Sequence, residues 1–96
     1  MYKANDKVSD RNKSMFNRFV AEYTTQGVKV VLEAPTLMGL RMAQTVGDKS
    51  EYHVVNACEL PDLETTFPVT KHEGTLHDVL KSNVLPRRVD VVYADY

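Results

Sequence analysis

His53, Cys58, His72 and His77 carry the side chains best suited to a zinc ion, because imidazole and thiolate are its favoured protein ligands. Their spacing argues against such a site. His72 and His77 stand five residues apart across an expected turn and helix start, and no Cys-x-x-Cys pair supplies a second edge of the tetrahedron. No metal and no other cofactor is therefore expected. Cys58 beside a histidine would be a nucleophile, but a lone cysteine after a strand is more commonly a small buried hydrophobe. Arg41, Arg87 and Arg88 are the cations placed on or beside ordered elements. A phosphate cradle also needs glycines that bring backbone N–H groups onto the anion, and the stretch APTLMGLR contains only Gly39.

The elements that must position these residues follow from periodicity. Val28, Val30, Leu32 and Ala34 alternate with Lys29, Val31 and Glu33, the pattern of a strand with one buried side. Pro35 ends that strand, and Thr36 is placed to cap a helix whose Leu37, Met38, Leu40, Met42, Ala43 and Val46 recur at helical spacing before Gly47 stops it. Upstream, a helix from Ser9 or Asp10 carries Met15, Phe16, Phe19, Val20 and Tyr23 as a stripe, after a polar lead-in over residues 1–8. The stripe is expected to cover the sheet, with partner or dimer contact as the sharper reading.

Residues 51–57 read as an interior strand, and residues 64–71 as an edge strand because Pro68 cannot donate to a ladder. His72-Glu73-Gly74 reads as a turn. Thr75 and Asp78 resemble a capping box for a short helix with Leu76, Val79 and Leu80 inward, and a final strand alternates through Val89, Val91 and Tyr93. The whole predicts one α+β domain over residues 9–96, namely a ferredoxin-like β-α-β-β-α-β antiparallel sheet with an added N-terminal helix. Leu32, Leu40, Val54, Leu80 and Val91 are expected to share its core.

Arg41 at the helix after the first strand, Asn56 on the second strand and Leu60-Pro61-Asp62 after it give the chain a layout that resembles acylphosphatases. Those are small ferredoxin-like enzymes that use an arginine and an asparagine on phosphate. The resemblance implies a phosphate-handling enzyme with Arg41 and Asn56 at its site. Thr36, Leu37 and Met38 stand where those enzymes have a glycine-rich cradle.

Composition bounds the remaining choices. Apolar residues at 43% and charged ones at 26% are ordinary for a globular domain, so bulk disorder is excluded. A single cysteine precludes an internal disulfide, no apolar run reaches the ~20 residues of a membrane span, and the N-terminus lacks a signal core. A cytoplasmic location is expected. The net charge of −1 hides a mildly basic N-terminal helix and an acidic stretch over residues 59–78 that would repel phosphates. Nucleic-acid binding through the basic helix and the sheet is thus the second choice. The first is a non-catalytic protein-binding module, a regulator or inhibitor of a larger protein or a subunit of an assembly. Its partner surface is read as Phe16, Phe19, Tyr23, Arg41, Arg87, Arg88 and Tyr93, with self-association through the N-terminal helix or the C-terminal edge strand.

Overall fold

Val28–Glu33 forms β1, and its five ladder pairs with Glu51–Asn56, β2, run parallel from Val28 opposite Glu51 to Leu32 opposite Val55. The computed structural model describes the backbone of residues 7–95 and the side chains of residues 14–94. The remaining elements are α1 (Lys7–Tyr23), α2 (Met38–Val46), β3 (Val69–Glu73), α3 (Leu76–Lys81) and β4 (Val91–Asp95). The helix thus begins inside the expected lead-in, and residues 1–6 of that lead-in lie outside the described residues.

The sheet has the order β3-β2-β1-β4, and every neighbouring pair is parallel. This overturns the ferredoxin-like antiparallel sheet. The element order is the one expected, but strand direction depends on the connections. Residues 57–68 bring the chain back to the start of β2 before β3 begins, which gives the length that a parallel crossover requires. The stretch bearing α3 then carries the chain from one edge of the sheet to the other.

Helices cover both faces, which an antiparallel sheet with one helical layer would not need. Ala21 of α1 and Leu40 and Ala43 of α2 pack with Val31, Tyr52, Val54, Leu60 and Phe67 on one face. Val79 of α3 packs with Val30 and Val55 on the other, joined by Leu76, Leu85 and Val89. The single expected core is therefore two clusters. Leu40 and Val54 belong to the first, whereas Leu80 is 60% exposed because α3 has only six residues and turns one side to the sheet.

Three local expectations hold. Gly47 closes α2 at φ 75°, with Asp48 N–H donating to Ala43 carbonyl oxygen. The capping box of Thr75 and Asp78 starts α3. Pro68 precedes the edge strand β3, where its carbonyl oxygen accepts from Tyr52 N–H while its missing donor costs nothing to the ladder. The strand itself is displaced, since His72 and Glu73 continue it rather than turning.

Candidate functional site

The end of β1 bears directly on the anion-binding idea. Glu33 is wholly buried, and its carboxylate accepts from Gly39 N–H at 3.3 Å and Leu40 N–H at 3.1 Å. These are donors at the start of α2 that an external phosphate would use. A Cβ built on Gly39 would meet Glu33 Oε2 at 3.1 Å, so the glycine makes room for the protein's own carboxylate. Thr36 does not cap the helix. Leu37 takes that position with a left-handed φ of 55° and no side-chain cap bond, while its buried side chain joins the first core cluster.

Arg41 is turned toward loop backbone and Asn56 toward the end of β1 and the loop after β2. Arg41, exposed, donates from Nε to Thr36 carbonyl oxygen at 2.9 Å. Asn56 donates from Nδ2 to Glu33 carbonyl oxygen at 2.6 Å and accepts from Cys58 N–H at 2.7 Å. With the parallel sheet and the occupied helix start, these bonds correct the acylphosphatase-like layout. Cys58 is exposed rather than buried, and among the described residues no group of three His, Cys, Asp or Glu is disposed to hold a metal ion.

A second internal site lies under α1. Lys29, expected on the outer side of the first strand, is fully buried and donates from Nζ to Asp48 at 2.5 Å and to Ala21 carbonyl oxygen at 3.0 Å. Tyr52 Oη donates to the same Asp48 carboxylate at 2.7 Å, and Ser50 N–H to its other oxygen at 2.9 Å. Burial alone would raise the Asp48 pKa, but hydrogen bonds from Lys29, Ser50 and Tyr52 outweigh it and hold the carboxyl below its usual range. Burial first, and then the Asp48 carboxylate, push the Tyr52 hydroxyl far above its usual value. Every member is partnered and none reaches solvent, so the cluster ties α1 and the turn after α2 to the sheet.

The sequence-predicted partner surface is mostly exposed. Phe16, Phe19 and Tyr23 are 60–66% exposed on α1, because Asn17, Val20 and Ala21 take the inward positions of that helix. Arg87 and Arg88 are exposed ahead of β4. Tyr93 is half-buried against the first core cluster, and Arg41 lies on α2. Phe19 and Tyr23 share a groove with Val20, Asp90, Val91 and Val92, which joins α1 to the free side of β4. Val92, 59% exposed, and Met15, 65% exposed, are further large apolar side chains on the surface.

Asp90, just before this edge strand, turns its side chain toward β1. Its Oδ2 accepts from Val28 N–H at 2.8 Å and its Oδ1 from Arg88 Nε at 3.1 Å. The Val28 bond foremost, with help from Arg88, holds the Asp90 carboxyl below its usual range. Of the basic residues of α1, Lys7, Arg11 and Lys13 have side chains outside those described, and Arg18 is paired with Glu22 at 2.6 Å. No protein-family model matches the chain, and neither the curated proteins nor the solved structures give a match.

Proposed function

We propose that this protein is a binding module that acts by stoichiometric association with a protein, and that the surface it uses is the corner formed by α1 and β4. The observation that carries the reading is the exposed aromatic row Phe16, Phe19 and Tyr23 beside a sheet edge whose nearest acidic side chain is turned inward. Exposed aromatics supply area and an open edge supplies backbone donors and acceptors. An assembly subunit or a regulator of a larger protein uses such a surface. The exposed, unpaired Cys58 fits a reducing compartment, and a cytoplasmic location belongs to this reading. Among the described residues, no helix is long and apolar enough to cross a membrane.

The occupant that the corner fits is a second copy of the chain. Two β4 edges related by a two-fold axis perpendicular to the sheet pair antiparallel, which keeps both α1 helices on one side and brings their aromatic rows together. The same operation sets Arg87 and Arg88, before one strand, at the far end of the other, away from the same pair on the second copy. A parallel arrangement would align like with like. Sedimentation at micromolar concentration should give a dimer, and Val92→Lys should return it to monomer with an unchanged circular dichroism spectrum. A monomer across that range overturns the second-copy reading, and a dimer indifferent to both Val92→Lys and Phe19→Glu overturns the assignment of the corner.

A further inference from the structure

His53 and His72, on adjacent strands β2 and β3, meet ring to ring. His53 Nδ1 lies 2.9 Å from His72 Nε2, the ring centroids are 5.1 Å apart and the planes are inclined by only 23°. The centroid separation equals the N···N distance lengthened by a ring radius at each end. The rings are therefore close to coplanar and edge-on, each nitrogen pointing at the other along the line of centres. Such an arrangement holds a proton; a metal ion would need the two lone pairs to converge on a third point. At the far end, His53 Nε2 is bonded to the Glu51 carboxylate. A carboxylate only accepts, so His53 donates from Nε2, its Nδ1 accepts when the ring is neutral, and His72 donates from Nε2.

We propose that Glu51, His53 and His72 form a one-proton latch that fastens edge strand β3 to β2 and opens on acidification. The two facing nitrogens have room for one proton between them. A neutral pair and a singly protonated pair both keep the N–H···N bond, with Glu51 as counter-ion to the added charge. A second proton sets N–H against N–H and cation against cation, and the contact breaks. His53 is 6% exposed and stays under cover, whereas His72 is half-buried and lines an open groove, so His72 is the ring that leaves.

Among the described residues, Lys71 and Glu73 flank His72 on β3, Cys58 and Glu59 from the loop after β2 line one groove with it, and Asp78 from α3 lines another. Lys71 is occupied by Asp62 and Leu60 carbonyl oxygen, and Asp78 by the Thr75 capping box. Burial foremost, with repulsion from His53, lowers the His72 pKa from its usual value. The sign follows: the folded latch is intact above the unfolded imidazole value and is lost as pH falls through the lowered one. Release of β3 uncovers the edge of β2 at the opposite side of the sheet from β4.

Amide hydrogen exchange followed by NMR on the full chain tests this, with rates corrected for the intrinsic effect of pH. Between pH 7.5 and 5, opening of residues 69–73 should grow, at most ~tenfold per pH unit for one proton taken up, while residues 28–33 stay protected. His72→Gln, which keeps the hydrogen-bonding end but cannot titrate, should flatten that dependence. In the unmodified protein, the His72 imidazole ¹⁵N shifts should titrate below the ordinary imidazole range, together with β3 opening. Exchange of β3 that is flat with pH, an unchanged slope in His72→Gln, or a His72 titration at the ordinary imidazole value and uncoupled from β3 opening would each overturn the latch. The imidazole titration decides alone should the variant not fold.

Discussion

On the face covered by α1 and α2, β1 sends Lys29, Val31 and Glu33 beneath the helices, where Lys29 is ion-paired with Asp48 and Glu33 accepts hydrogen bonds from the N-terminal amides of α2. On the other face, Val30 and Val55 meet the six residues of α3, and the ionisable side chains at its border are Glu51, His53 and His72. The thicker face buries charge because it is thick. Coulombic attraction grows as water is excluded, and each charged group there has its bonds made. The thinner face buries aliphatic surface and His53 but leaves Glu51 and His72 in reach of solvent. Ionic order goes with complete cover, and proton sensitivity with partial cover.

The largest test of this contrast is Lys29→Met, which strands the Asp48 carboxylate in the interior. Denaturant unfolding should show a loss of about 3–5 kcal/mol, and Lys29→Met combined with Asp48→Leu should lose less, since removing both charges leaves none uncompensated. Aliphatic truncation should divide by face as well. Leu40→Ala is expected to cost about 2–5 kcal/mol, and Leu80→Ala, on the exposed side of α3, to stay within about 0.5 kcal/mol. An equal loss at both positions would mean that α3 is packed more deeply than its exposure indicates.

Glu33→Gln removes one acceptor and orphans one of the two amides at the start of α2, for a cost of about 1–3 kcal/mol. Asn17 runs the other way. It is 2% exposed, and neither of its side-chain polar atoms has a hydrogen-bond partner among the described residues, so Asn17→Leu should raise the unfolding free energy by about 1 kcal/mol. The two faces should also fail in different pH windows. Asp48, with a lowered folded pKa, contributes stability that is present above the ordinary carboxylate value and is lost as pH falls through the lowered one. Loosening of β3 near the imidazole range should therefore precede collapse of the α1/α2 face in an acid titration.

Much of the local structure was legible in the residues. Gly47, Pro68 and the Thr75/Asp78 pair act through the conformations and bonds of a few adjacent residues, and each performs the role that its chemistry suggests. The order of helices and strands followed from periodicity in the same way. Glu33 and Lys29 misled for a physical reason. Alternation places them opposite Val30 and Leu32, and a charged side chain is ordinarily a mark of the solvent side; here each meets its partner through a distant segment, Asp48 or Gly39 and Leu40.

By itself, the amino-acid sequence determined the order of helices and strands along this chain, where several of them start and stop, and that an aromatic row lies along the first helix. Those properties depend on neighbours three or four residues away. Tertiary structure alone decided that all four strands run parallel, that Lys29 and Glu33 are buried, that Phe16, Phe19 and Tyr23 stay outside, and that His53 meets His72. Each of these depends on which strand lies beside which and on how much of each face a helix can cover. A one-dimensional pattern specifies an element's two sides without saying what will be placed against them.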